Sequence, residues 1–487
     1  MSLKELKKPS IYQILGSLPG ILLYVALAFS PLGSTDPAFY TSIGISALLV
    51  NLWIAEPVPL WVSSILPLIL LPLHGILDPL EALGNYHNKT IFLFLGGFLL
   101  AYAVEKSHLH KRIAFRLLAL TGDNPKGIIW GMMLATCLIS MWISNTATAI
   151  MMLPVALSIT SLTGHRENTE YRPFFLCMML GIAYAANIGG IATVIGTPPN
   201  IVYKGYVDSM KQPEISFLKW MLIGVPLSLL MLWLTYHLLV NFIYKIKINS
   251  LPQVAAMLDN QAAALGKMKS NEKRTLIVFS AAVFFWIFAQ PLNNLMSAQG
   301  IKFKIEEHIV AMVFALLLFI VPGGKSEKSN LLKTNDLKFI SWGILILFGG
   351  GMCMAKGLES TGVIKWVGEY IKNSQSGNLP ILLLLLTGSA LYITELMSNV
   401  ALAQIYIPVV FGIASSMGLS NPHMLGLPVV FACSFAFMFP ISTPPNAVVF
   451  SSGFLKIKDM AIAGFFINIV GIVLLWLVGL YIIPLLF

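Results

Sequence analysis

WISNTATAIMMLPV at residues 142–155 and LMSNVALAQIYIPV at residues 396–409 read as two copies of one element. Each lies inside an apolar stretch, 127–161 and 378–415, that is too long for one comfortable crossing of about 30 Å of hydrocarbon. Each places a polar Ser-Asn pair, Ser144-Asn145 and Ser398-Asn399, near the middle of its stretch. Polar backbone at membrane depth is tolerated only where protein or a water-filled cavity covers it. Both stretches are therefore predicted to be re-entrant hairpins that enter and leave on the same side, with Ser-Asn at the tip.

The rest of the chain agrees with a membrane setting. Its 487 residues are 57% hydrophobic and only 11% charged, with a mean hydropathy of +0.81. A soluble domain carries about 25% charged residues, so no separate soluble domain fits. Eleven further apolar segments are long enough to span: 12–32, 39–56, 58–76, 90–106, 174–206, 215–243, 275–292, 306–323, 339–357, 424–452 and 460–486. Cys137, Cys177, Cys353 and Cys433 all fall inside apolar stretches without metal-ligand or CxxC spacing, and read as small core residues. MSLKELKK at the N-terminus is not followed by a cleavable signal pattern, so the first helix is expected to direct insertion.

The formal charge of +10 sits in short loops rather than in a stripe interleaved with aromatics, which argues against nucleic acid and for positive-inside bias. Four basic groups share one face if the N-terminus is cytoplasmic: Lys4, Lys7 and Lys8; Lys106, Lys111 and Arg112; Lys245, Lys247, Lys267, Lys269, Lys273 and Arg274; and Lys325, Lys328, Lys333 and Lys338. The same count makes the first hairpin enter from the cytoplasm, the second from outside, and leaves the C-terminus outside. A multi-pass protein of a bacterial inner membrane or a plasma membrane is expected.

Two more pairs of segments repeat. FLFLGGFLLAYAVEK at 92–106 matches ILILFGGGMCMAKGLE at 344–359, and GIATVIGTPPNIV at 190–202 matches MFPISTPPNAVVF at 438–450. The first copy begins with a span running inward and the second with a span running outward, so a two-fold axis in the membrane plane must relate them. The predicted fold is an all-α polytopic membrane protein of about eleven transmembrane helices plus two re-entrant hairpins in two inverted repeats, the plan of secondary transporters.

Within this plan the paired motifs carry chemistry. Ser, Asn and Thr favour helix N-caps, and a half-helix starting at Ser144-Asn145-Thr146 or Ser398-Asn399 points N–H donors and a partial positive charge into the protein, which suits a carboxylate. Two facing tips suit a dianion. The prolines of Thr197-Pro198-Pro199-Asn200 and Thr443-Pro444-Pro445-Asn446 are expected to break their helices and free carbonyls such as those of Gly196 and Ser442. Neither kind of element contains Lys or Arg. Oxygen-only ligands suit Na+, and Na+ would supply the charge that a buried dianion needs. Glu395 beside the second tip reads either as a proton carrier or as a group at the bend that simply pairs or faces water; Glu105, Lys106, His108 and His110 read as interfacial. No Ser/His/Asp, HExxH or paired-Asp constellation is present, so an enzyme is not expected, and occluded tips argue against a channel.

The Ser-Asn and Thr-Pro-Pro-Asn pairs, with FLFLGGF and the following EKSHLHKRIA, resemble the divalent anion/sodium symporters over nearly the whole chain from about residue 10. The resemblance implies a homodimer in membrane lipid, with scaffold and transport domains and an elevator-type movement. On that pattern 1–86 forms N-terminal scaffold helices and 87–243 the first repeat, with its hairpin at 127–161 and broken helix at 196–200. A cytoplasmic loop covers 244–274 and scaffold helices cover 275–338. The second repeat is 339–487, with its hairpin at 378–415 and break at 442–446. One Na+ would be held by Ser140, Ser144, Asn145 and the Gly196 carbonyl, the other by Thr394, the Met397 carbonyl, Asn399 and the Ser442 carbonyl. Substrate carboxylates would meet Asn145, Thr146, Thr197, Asn399, Thr443 and Pro444. Val400 stands where some members have threonine, which removes one substrate hydroxyl. The implied activity is Na+-coupled uptake of a C4-dicarboxylate with no organic cofactor; citrate or sulfate symport and Na+-independent dicarboxylate exchange are the alternatives.

Overall fold

The computed structural model describes residues 9–29, 36–162, 170–210, 212–324, 327–373 and 378–487. Lys4, Lys7, Lys8 and Lys325 of the charge count lie outside them. Among the described residues nine helical segments are long and apolar enough to cross a membrane, and five shorter apolar helices accompany them. The expected span 58–76 is instead two short helices, Leu60–Ser63 and Leu66–Leu73. Pro67, in the first turn of the second, cannot donate back to the first and so starts a new helix.

From Lys89 onward one order of elements occurs twice. The first pass runs Lys89–Lys106, the amphipathic Leu109–Ala119, a hairpin of Pro125–Ser140 and Asn145–Leu162, then Arg172–Gly190, a non-helical break, Pro198–Ser209 and Phe217–His237. The second runs Trp342–Ser360, Val363–Asn373, a hairpin of Leu379–Ile393 and Asn399–Ser416, then His423–Ser434, a break, Pro444–Phe450 and Ile457–Leu477. Both Ser-Asn pairs fall at hairpin turns. Asn124 caps the first hairpin by accepting from Lys126 N at 3.0 Å, with Pro125 opening the helix.

The breaks differ from expectation in position. Helix ends at Gly190 and Ser434, so the non-helical segments are 191–197 and 435–443 rather than 196–200 and 442–446. The prolines do not interrupt a helix. Pro198-Pro199 and Pro444-Pro445 occupy the first turn of the next one, where a missing N–H costs nothing and φ is already helical.

Helix Arg172–Gly190 is buried at every position from Phe174 to Gly190, and His423–Ser434 is buried at nearly all, so these two form the centre of the molecule. Around them the halves exchange partners. Asn145–Leu162 of the first hairpin packs on Pro444–Phe450, and Asn399–Ser416 of the second packs on Pro198–Ser209. Outer helices Ile11–Phe29, Ser270–Ala298 and Ile457–Leu477 turn large apolar side chains such as Leu22, Ile277 and Phe466 outward, as lipid contact requires. Where Lys89–Lys106 meets Glu307–Ile320, a Cβ on Gly96 would stand 2.6 Å from the Ala311 backbone, so glycine sets that helix spacing.

Three of the basic loop groups meet on one face. Lys106 Nζ lies 2.6 Å from Asp336, and Arg274 Nη1 donates to Pro322 O at 2.6 Å. Buried Arg112 pairs with Glu272 at 2.9 Å and also donates to Gly266 O at 2.8 Å and Leu265 O at 3.0 Å. These cations therefore hold loops together. The segment 244–274 carries a helix, Pro252–Ala264, seated on Leu109–Ala119.

Candidate functional site

One cavity of about 1600 Å³ collects the motifs. Asn145, Thr146, Thr197, Asn399, Val400, Thr443 and Pro444 all line it, as do Ser144, Met397 and Ser442. Ser140, Gly196 and Thr394 are buried beside these lining residues rather than among them. The cavity extends to Glu105, Lys106, His108 and Lys111 on the face of the basic loops. Among the described lining residues of the tips and breaks there is no Lys or Arg.

The two hairpin tips are built alike. Ser140 Oγ lies 2.9 Å from Asn145 Oδ1 and 2.7 Å from Ala186 O; Thr394 Oγ1 lies 2.8 Å from Asn399 Oδ1 and 2.7 Å from Cys433 O. Each hydroxyl has one proton and two acceptors, so each tip crowds three oxygens around one hydrogen. Beside the first tip, a Cβ on Gly196 would come 2.5 Å from Gly190 O and 3.0 Å from Met141 O, and one on Gly190 would come 2.5 Å from Asn145 Oδ1. This neutral, oxygen-only donor set fits a hard monovalent cation, and any side chain at Gly196 would fill it. The tips differ in one detail: Ser144 Oγ accepts from Ala147 N at 3.3 Å as an N-cap does, whereas Ser398 makes no side-chain cap.

The asparagines of the Thr-Pro-Pro-Asn elements reach back into the breaks. Asn200 Nδ2 donates to Gly190 O at 3.0 Å and Thr193 O at 2.8 Å; Asn446 Nδ2 donates to Ala436 O at 3.1 Å and Phe439 O at 3.0 Å. Each amide satisfies carbonyls of the unwound segment, and Asn200 also takes the last carbonyl of its central helix, that of Gly190. Thr opens the next helix at the cavity wall, the prolines form its first turn, and Asn staples the unwound segment behind it.

Glu395 has a defined place. It is 1% exposed, accepts from Phe437 N at 2.7 Å, Met438 N at 3.0 Å and Asn468 Nδ2 at 2.9 Å, and meets Ser442 Oγ at 2.8 Å. Phe437, Met438 and Asn468 can only donate to it, whereas Ser442 Oγ also lies 2.7 Å from Phe439 O and can give its proton there while accepting one from Glu395. The group is thus paired at the bend and does not face water, and its contact with Ser442 leaves a place for a proton. The first half has Met141 at this position, so the two breaks are held differently. His110 is buried, with Nδ1 donating to Val104 O at 3.1 Å; burial lowers its pKa to about 4.

Asn187 was not singled out from the sequence. It lines the cavity from helix Arg172–Gly190, and the available signal was an amide within an otherwise apolar segment. The second half has no asparagine at the matching point, so the repeat comparison passed over it.

Paired hairpins and paired breaks around one cavity define a membrane transporter, and the chain belongs to the sodium:sulfate symporter family, the divalent anion:sodium symporters. The family's transmembrane region matches residues 18–487. Similar proteins include the sodium-dependent dicarboxylate transporter SdcS of Staphylococcus saprophyticus, 36% identical over 489 residues that cover 99% of this chain and 93% of the relative. SdcS of Staphylococcus aureus is also 36% identical, over 98% of this chain and 93% of the relative. Two solved transporters share the fold at 13% identity. MtrF of Neisseria gonorrhoeae, described among antimetabolite efflux pumps, has a TM-score of 0.54 over 82% of this chain and 83% of that one. YdaH of Alcanivorax borkumensis has a TM-score of 0.56 over 86% and 97%.

Proposed function

We propose that this chain imports C4-dicarboxylates such as succinate, fumarate and malate by Na+-coupled symport. The observation that carries the reading is the meeting of two Asn-bearing tips in one cavity whose tip and break residues include no basic side chain. A dianion there needs compensation, and the oxygen clusters at Ser140/Asn145 and Thr394/Asn399 suit two cations. The relatives named as sodium-dependent dicarboxylate transporters support the same assignment.

In this mechanism Asn145 and Asn399 couple the two cargoes. Each turns its amide oxygen toward a cation and leaves its amide N–H groups for a substrate carboxylate. Ser144, the Gly196 carbonyl, the Met397 carbonyl and the Ser442 carbonyl complete the ion shells. Thr146, Thr197 and Thr443 donate to the carboxylates, Pro444 shapes the wall, and Val400 leaves the second tip with one donor fewer than the first. The repeated order of elements and the charge distribution support inverted repeats with a cytoplasmic N-terminus and an outside C-terminus. The hairpins and breaks then form the body that moves, elevator-fashion, against a dimeric frame of the other helices.

Uptake of labelled succinate into proteoliposomes tests this: a Na+ gradient should drive accumulation, and Asn145→Ala or Asn399→Ala should abolish it while the protein stays folded. Equal uptake without Na+ would identify an exchanger instead. Sulfate, suggested by the family description, and citrate are tested as competitors.

A further inference from the structure

Thr443 caps the helix Pro444–Phe450 with extended backbone, yet its hydroxyl makes no capping bond. Pro444 and Pro445 have no N–H to give it, which leaves Asn446 N–H as the one nearby capping donor, and that bond is not made. The Thr443 oxygen is used by a residue of the other half instead. Asn187 Nδ2 lies 3.2 Å from Thr443 Oγ1 and 3.0 Å from Ala436 O, bridging the central helix of the first half to the break of the second. Asn187 is fully buried, and its Oδ1 has no hydrogen-bond partner among the described residues.

An amide N–H can only donate, so the Thr443 oxygen must accept, and the Thr443 proton is left to point elsewhere. Thr443 itself lines the cavity. We infer that Asn187 is a positioning residue: by donating to Thr443 it sets the threonine hydroxyl as a donor toward the substrate carboxylate. The first half lacks this device. The residue following the carbonyl bound by Ser140 is Asn187, whereas the residue following the carbonyl bound by Thr394 is Ser434, whose buried Oγ has no partner among the described residues. The fixed donor therefore belongs to the second carboxylate site, where Val400 has already removed one hydroxyl.

The inference rests on the proposed role of Thr443, and a double-mutant cycle separates the two. Initial uptake of succinate at saturating Na+ is measured for Asn187→Ala, Thr443→Val and the double variant in proteoliposomes. Loss of one oriented hydrogen bond predicts that Asn187→Ala raises the half-saturating succinate concentration about fivefold, with the maximal rate and Na+ activation little changed. The double variant should bind no more weakly than Thr443→Val alone. Normal succinate affinity in Asn187→Ala, or independent multiplying effects in the double variant, would overturn the inference. Normal affinity in Thr443→Val would instead overturn the assignment of Thr443 to substrate. Should Asn187→Ala not be recovered folded, Asn187→Ser, whose hydroxyl falls short of Thr443, carries the same expectation and the same overturning result.

Discussion

Thr394 Oγ1 stands 2.8 Å from Asn399 Oδ1, closing the tip of the second hairpin on itself five residues apart in the chain. Ser140 and Asn145 repeat the contact in the first hairpin at 2.9 Å. Both hydroxyls also face a carbonyl of their half's central helix, so one proton serves three oxygens at each tip. On the proposed mechanism a cation would be held by these same oxygens. Ser140→Ala and Thr394→Val are therefore each expected to raise the Na+ concentration for half-maximal uptake about tenfold, the effect of about 1.4 kcal/mol. Na+ titrations at fixed succinate check this; unchanged activation would remove these hydroxyls from the ion sites.

Glu395 accepts from two backbone N–H groups of the second break and from Asn468, and meets Ser442 Oγ at 2.8 Å. In Glu395→Leu no acceptor remains for the Phe437, Met438 and Asn468 N–H groups, which leaves buried donors unpaired at about 1–3 kcal/mol each. A lowered unfolding temperature together with lost uptake is expected. A variant with wild-type stability and a transport pH profile shifted by acid would mean that Glu395 handles a proton after all.

Lys204, 5% exposed, pairs with Glu307 at 3.1 Å and donates to Ile215 O at 2.8 Å, joining helix Pro198–Ser209 to Glu307–Ile320. Removing one partner of a buried pair strands the other, at about 3–5 kcal/mol. Lys204→Met should thus lower the thermal midpoint strongly, and Lys204→Met with Glu307→Gln should recover part of the loss. If the single and double variants melt alike, the pair is not coupled.

His110 gives a pH dependence of definite sign. Its folded-state pKa is about 4 against the ordinary 6.5, chiefly through burial, with the Val104 carbonyl opposing the shift and His108 and Lys111 adding to it. The unfolded chain takes up this proton below pH 6.5 while the folded chain refuses it until about pH 4. Stability contributed by this group is complete above pH 6.5 and falls by about 3 kcal/mol on acidification through that window. Thermal midpoints between pH 7 and pH 4 should drop less steeply in His110→Asn than in the wild type; parallel curves would refute the assignment.

The amino-acid sequence alone determined the membrane setting, the two hairpins with Ser-Asn tips, the pairing of the motifs and the one-sided basic loops. These are local properties: apolar length, polar residues interrupting it, and the repeated order of both can be read along the chain. Family membership followed from the same motifs. The tertiary structure decided what depends on residues far apart. It placed the helix ends before the prolines, because the Asn200 and Asn446 amides satisfy the carbonyls there and let the chain unwind early. It packed the inner helix of each half's hairpin on the other half's Thr-Pro-Pro-Asn helix, which is why seven separate substrate candidates share one cavity. Asn187 with Thr443, Lys204 with Glu307, and Glu395 with the 435–443 break are contacts across 42 to 256 positions of chain. No periodicity or composition signals such pairs, since their energy comes from burial and donor–acceptor matching that exist only once the helices have packed.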